Sequence, residues 1–250
     1  MLIREAPRSV GGTDLLVHVE WENEFPGLVS GTTVAPTDYG LAGPGTTWEV
    51  TERFETLTRG LGCRASVVGR QVHGKRVVVV DPPPHLGVCV TGDADGLASD
   101  RTGVLLTVTI ADCVPVFLLA PDSRAFALLH AGWRGALAGI VEQGIRTLEV
   151  LKGAVPPDLR VHLGPAICGD CYQVGPEVLQ RFGQSGTGQG HLDLRTWLTR
   201  ETVRLGVPAA AISVSSWCTR CSADLLHSHR ASQGAAGRMV AFLGWRARSE

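Results

Sequence analysis

Two imidazoles and one thiol, His73, Cys113 and His130, stand in three short stretches: Gln71-Val72-His73, Ala111-Asp112-Cys113-Val114-Pro115 and His130-Ala131-Gly132-Trp133-Arg134-Gly135. Together they offer a ligand set for one open zinc site. A metal held by three side chains keeps its fourth tetrahedral position for water or substrate, whereas structural zinc is closed by four. Such an ion brings the pKa of a bound water towards neutrality, so hydrolytic chemistry, deamination included, is within reach. Taken singly, each residue also has an ordinary reading: His73 as a hydrogen-bonded loop residue, Cys113 as a small hydrophobe, His130 as the end of a strand. Asp112 and Pro115 fit poorly inside a continuous strand, which suggests that residues 111–115 break from the ladder and turn side chains towards a cleft. Asp112 is then expected to orient a ligand histidine or shuttle a proton, with turn capping as its alternative. Gly132 and Gly135, with Arg134 between them, precede a helix whose free amides suit a phosphate or ribose oxygen. The alternative is a tight strand-to-helix turn with Arg134 solvated.

The elements that must position these groups are strands first. Leu15 to Glu20, Gly27 to Thr32, Ser66 to Val72, Arg76 to Val80, Val104 to Ile110, Pro115 to Ala120 and Ala125 to Leu129 carry β-branched and aliphatic runs. Val78 to Val80 and Leu105 to Ile110 are expected to be buried on both faces. Trp48 to Arg59 reads as a helix, with Val50, Phe54, Leu57 and Leu61 on one face. Pro82-Pro83-Pro84 is expected to be a connector. Beyond His130 the period becomes helical, with Leu137, Ile140, Val141, Ile145, Leu148 and Leu151 in one stripe until Gly153. A strand at Arg160 to Leu163, helices at Pro176 to Phe182 and Leu192 to Leu205, and strands near Ala211 to Ser215 and Met239 to Leu243 follow. The order is mixed α/β, helices outside a strand-rich centre, and one domain over residues 1–250 is expected.

Composition excludes several classes. Apolar residues make up 44% and charged residues 19% of 250, with a formal net charge of −1 and scattered arginines, so no nucleic-acid footprint is present. The apolar window Val104 to Ala120 is interrupted by Asp112 and Pro115 and falls short of a bilayer span. No membrane association is expected. The opening residues lack the pattern of a signal peptide, so a cytoplasmic protein with reduced thiols is expected, as a monomer or weak homodimer.

The three stretches, as Q-x-H, A-D-C-x-P and H-A-G-W-R-G in this order, resemble the multicopper polyphenol oxidase (laccase-domain) family, also described as purine nucleoside phosphorylases. Gly164-Pro165-Ala166-Ile167, Cys171-Tyr172-Gln173-Val174-Gly175, Cys218-Thr219 and Gly237-Arg238 extend the resemblance over roughly residues 67 to 242. It implies a layered α/β/β/α sandwich, zinc on His73, Cys113 and His130 with copper as an alternative, and small-molecule substrates. The implied reactions are phosphorolysis of adenosine, inosine and methylthioadenosine with phosphate, deamination of adenosine, and polyphenol oxidation. The multicopper sites of true laccases need more clustered histidines than this chain carries.

The chain departs from the family at several points. Gly31-Thr32-Thr33-Val34-Ala35 stands where the family has T-R-x-G-G, with Thr33 at the position of an arginine thought to face the active site. Thr33 is the expected substrate-side group there, able to hydrogen-bond phosphate but uncharged. Tyr39-Gly40-Leu41-Ala42 replaces L-N-L-G. His227-Ser228-His229-Arg230-Ala231 replaces F-S-Y-R-R and leaves Arg230 as the expected substrate-side cation. Cys168-x-x-Cys171 and Cys218-x-x-Cys221 together suit a structural four-thiolate zinc site if the fold brings them close. Two further functions are compatible with these residues: a metal-free hydrolase or deamidase with Cys113 as nucleophile and His130 as base, and a non-catalytic metal-binding relative linked to peptidoglycan precursor quality control.

Overall fold

The structure, a computed structural model, describes residues 4–41, 47–81 and 86–248. Pro82 to Pro84, the expected connector, lie outside the described residues. The chain runs β1 (Glu5–Val10), β2 (Thr13–His18), α1 (Val19–Glu24), β3 (Leu28–Thr33), α2 (Thr47–Gly60), β4 (Ala65–Arg70), β5 (Val77–Val79), β6 (Gly87–Asp93) and β7 (Gly96–Ser99). It continues with β8 (Val104–Ile110), β9 (Val114–Ala120), β10 (Ala125–Ala131), α3 (Trp133–Ala138), α4 (Ile140–Lys152), β11 (Arg160–Leu163), β12 (Gln173–Val174), α5 (Pro176–Arg181), β13 (Gly190–His191), α6 (Leu194–Arg204), β14 (Ile212–Val214) and β15 (Met239–Trp245).

Among the described residues two mixed sheets face each other. One has the order β1-β2-β3-β15-β8-β4-β6 and the other β14-β11-β9-β10-β7-β5. Leu106, Val108 and Leu243 of the first meet Phe117, Leu119, Phe126 and Leu128 of the second across the gap. Outside the first sheet, α2 lays Val50, Phe54 and Leu57 on Leu15, Val29 and Leu105. Outside the second, α4 and α6 cover Val116, Leu118, Ala127 and Leu129 with Ile140, Ile145, Leu148, Leu194 and Leu198. The layers are α/β/β/α, as expected. Every residue of β9 and β10 is buried, so both strands are near-continuous apolar runs. The window Val104 to Ala120 is two strands in different sheets, and residues 111–113 are the crossing between them. No helix among the described residues is long and apolar enough to cross a membrane.

Several expectations change. The strand from Leu15 stops at His18, where α1 begins. The helical stripe after His130 is two helices, because Gly139 adopts φ +88° and ends α3 before α4 starts. Val78 and Val79 are not buried on both faces: β5 is the outermost strand of its sheet and Val79 is exposed. Strands β1, β6 and β7 were not foreseen.

Between the sheets lies a polar island. Glu5, His18 and His162 cluster there, with His162 Nδ1 2.9 Å from Ser213 Oγ and Nε2 3.3 Å from Glu5. Neither ring nitrogen of His18 has a hydrogen-bond partner, and its ring packs edge-on against Trp21 and Phe117.

Candidate metal centre

The β9–β10 hairpin brings two of the three candidate ligands together. Its antiparallel register sets Ala131 opposite Val114 and His130 opposite Pro115, so the next pair outwards is Gly132 and Cys113. Side chains alternate along a strand. Phe126 and Leu128 of β10 face the gap between the sheets, and His130 continues that face to its open end.

His73 arrives from the loop between β4 and β5, in the left-handed region at φ 60°, where a residue other than glycine needs external support. Asp95 supplies it. Its carboxylate accepts the successive backbone N–H groups of Val72, His73 and Gly74 at 3.1, 2.9 and 2.7 Å. The same group lies 2.9 Å from His130 Nδ1, and its backbone carbonyl accepts His130 N–H at 2.7 Å. Gln71 pins the loop from the other side, its amide exchanging hydrogen bonds with the backbone of Thr109 at 2.8 and 2.7 Å.

One ligand atom each from His73, Cys113 and His130 therefore lies within 4.8 Å of the other two. His73 is exposed, Cys113 half-buried and His130 buried, so the trio faces solvent on one side. Two imidazoles around a sulfur form a borderline-soft donor set that fits zinc, and also copper. Burial pushes the Cys113 thiol up, but the neighbouring His130 and His73 outweigh it and bring it to about 6. Burial pulls the His130 imidazole down, while Cys113 and Asp95 carry it up to about 9. Burial also raises Asp95, yet His130 and the amides of Gly74 and Val72 leave it below the usual carboxylate value.

The glycines of the 130–135 stretch are explained by clearance. A Cβ at Gly132 would stand 3.0 Å from His73 Cδ2 and 3.1 Å from Cys113 Sγ, and one at Gly135 would meet the Gly74 carbonyl at 2.7 Å. The expected anion-binding amides are not needed to account for either. Arg134 is exposed and stacks over Trp133, its guanidinium carbon 4.2 Å from the ring centroid.

Asp112 does not orient a histidine; that position belongs to Asp95. Asp112 sits at φ 89°, and its carboxylate accepts Thr219 Oγ1 at 2.6 Å, Ser228 Oγ at 2.7 Å and the backbone N–H of Arg230 at 2.7 Å. It ties the 219–230 segment to the residue before Cys113. Thr33 does not reach a cleft either. It is fully buried in the sheet, where its Oγ1 accepts the backbone N–H of Val240 at 2.9 Å. Arg230 donates to the Gln173 carbonyl at 2.6 Å and lies 5.4 Å from the Tyr172 ring. Tyr172 belongs to the Cys171-to-Gly175 stretch. Burial first, then the charges of Cys113 and Asp112, push its phenol up to about 12 against the opposing pull of Arg230 and Arg134. Trp133, under Arg134, and Tyr172, beside Arg230, pack against the same Val174, Val178, Leu179 and Leu192 cluster, so both arginines share one wall with the phenol. Asp95 was missed, and its only sequence signal was a carboxylate before Gly96. Beside Gln71 and Thr109 a cavity of about 740 Å³ opens, lined also by Asp38, Arg70 and Arg238.

The sequence model of the family described as multi-copper polyphenol oxidoreductase laccase matches residues 27–246. Purine nucleoside phosphorylase YlmD of Geobacillus stearothermophilus is 37% identical over 164 residues, which span 61% of this chain and only 60% of that protein's length. Adenosine deaminase RL5, from an unknown prokaryotic organism, is 32% identical over 182 residues, 66% of this chain and 69% of that one. The crystal structure of YlmD from Geobacillus stearothermophilus superposes with a TM-score of 0.85 at 28% identity, covering 98% of this chain and 99% of that one. The mixed α/β fold is the one that structure has.

Proposed function

We propose that this chain, which belongs to the multi-copper polyphenol oxidoreductase laccase family, is a zinc enzyme of purine nucleosides, with His73, Cys113 and His130 as metal ligands. The reactions are phosphorolysis of adenosine, inosine and methylthioadenosine, and deamination of adenosine. Polyphenol oxidation is a further activity and copper the alternative metal. One observation carries the reading: two imidazoles and a thiol from three separate segments converge within 4.8 Å on a solvent-facing side. The substrate class comes from the relatives, one named a purine nucleoside phosphorylase and one an adenosine deaminase.

His73, Cys113 and His130 would hold the zinc ion, which would supply Lewis acidity to the centre under attack. Asp95 accepts the Nδ1 proton of His130, which leaves the Nε2 lone pair for the metal and fixes the ring. The Tyr172 phenol keeps its proton at neutral pH and acts as a donor to substrate. Arg134 and Arg230 place positive charge on the same wall, suited to phosphate. Asp112, engaged by three donors, positions Arg230 and is not free to carry protons. The 740 Å³ cavity beside Gln71 has the size of a small-ligand site but is lined by none of these residues, so the reading does not rest on it.

Purified, metal-analysed protein with adenosine tests this. Without phosphate, water replaces the C6 amino group and gives inosine and ammonia. With phosphate, displacement at C1′ gives adenine and ribose 1-phosphate. Neither product above a protein-free control would sink the proposal.

The line Asp95–His130–Cys113 also supports a second reading, a metal-free nucleophile, base and orienting group. It leaves the converging His73 without a role, which is why it ranks behind. Activity surviving exhaustive chelation but lost on alkylating Cys113 would reverse that order.

A further inference from the structure

We propose that Cys168, Cys171, Cys218 and Cys221 hold a second, structural zinc ion, separate from the His73, Cys113 and His130 centre. The fold supplies what two C-x-x-C pairs in a sequence cannot guarantee. Strands β11 and β14 are parallel neighbours, Leu163 beside Val214, so both leave the sheet at the same end. An isolated bridge between Ala166 and Cys218 prolongs the pairing beyond them, with Thr219 N–H donating to the Ala166 carbonyl at 3.2 Å. Each C-x-x-C then closes as a tight turn: the N–H of Cys171 reaches the Cys168 carbonyl at 3.1 Å, and that of Ser222 the Cys218 carbonyl at 2.9 Å.

All four sulfurs lie within 4.8 Å of one another. A tetrahedron with zinc–sulfur bonds of about 2.3 Å has edges of roughly 3.8 Å, so the cluster matches that size. Cys171 Sγ and Cys221 Sγ are 3.4 Å apart, well beyond the roughly 2.05 Å of a disulfide, and all four residues are free thiols. Backbone N–H groups of Cys168 and Cys221 point at Cys218 Sγ at 3.3 and 3.4 Å, the kind of donation that orients a ligand thiolate. Four protein sulfurs close the coordination sphere, which makes the site structural and zinc the favoured metal.

Its effect would be local. The first turn leads into Tyr172 and Gln173, whose carbonyl holds Arg230, and the second contains Thr219, which holds Asp112. The ion would staple two loops that form one wall of the neighbouring centre.

Metal content of the full chain, purified without chelators, tests the proposal independently of any activity. About two zinc ions per chain are expected in the parent protein, and one in Cys113→Ser. The double variant Cys171→Ser/Cys221→Ser, which alters the more exposed partners, should also hold one and melt at a lower temperature. If that variant does not fold, Cys113→Ser loaded with cobalt(II) decides: strong thiolate-to-cobalt absorption is expected from the remaining four sulfurs. One zinc per chain, lost in Cys113→Ser, would overturn the proposal. So would a Cys171–Cys221 disulfide in the purified protein, or iron in place of zinc.

Discussion

Asp95 accepts from His130 Nδ1 at 2.9 Å and, through the same oxygen, from the backbone N–H of His73 at 2.9 Å. One buried carboxylate thus fixes the ring of one histidine and the unusual backbone of another. The trio of candidate ligands is positioned by a residue that is not one of them.

Replacing that carboxylate by its amide, Asp95→Asn, keeps the shape but turns one acceptor into a donor facing N–H groups. Zinc affinity at the trio should fall about 10- to 100-fold, as for other residues that orient metal-binding histidines. Competition with a chromophoric chelator measures it, with circular dichroism as the check on folding. Unchanged affinity would remove Asp95 from the design.

Gly132→Ala separates crowding from backbone strain. Gly132 has φ −77° and ψ 170°, extended values open to alanine, so the chain should fold. The added methyl, about 3 Å from both His73 and Cys113, should spread the ligands and cost at least about tenfold in metal affinity. Melting of the metal-free protein should shift by only a few degrees.

What the sequence concealed has a common cause. The doubly buried strands β8, β9 and β10 were legible because burial on both faces demands unbroken apolar runs. The trio was legible chiefly because its three motifs resemble the family's, since each residue alone had an ordinary reading. Among the strands misread or missed, the four-residue β7 is interior and too short to show a pattern, while β1, β5 and β6 are the outermost strands of their sheets. There half-exposed residues such as those of Glu5–Val10, with Pro7 among them, dilute the pattern. Asp95 was illegible because its partners are mostly backbone amides, which leave no trace in side-chain identity. Thr33 was misplaced because motif position outweighed the burial of β3, whose residues are all enclosed.

Acid should destabilise the protein through His18. Burial, then His162, hold its imidazole well below the ordinary value of 6.5, so the unfolded chain binds its proton first. Stability from this group is present above about pH 6.5 and lost as pH falls, at up to about 1.4 kcal/mol per pH unit for one proton. Urea midpoints between pH 7.5 and about 5 should fall more steeply for the parent protein than for His18→Leu. Parallel slopes would assign the acid sensitivity elsewhere.

Arg230→Met distinguishes substrate binding from loop support. The variant keeps the backbone N–H that Asp112 accepts and a long stem, but loses the guanidinium that reaches Gln173 and Tyr172. If the charge serves phosphate, KM for phosphate in phosphorolysis should rise about tenfold, roughly 1.4 kcal/mol, while deamination of adenosine without phosphate keeps its kcat/KM. If the guanidinium only braces the Tyr172 loop, both reactions should decline together and the melting temperature should fall with them. The split between the two reactions is something a merely structural arginine cannot produce, because loosening one wall would blunt every substrate alike.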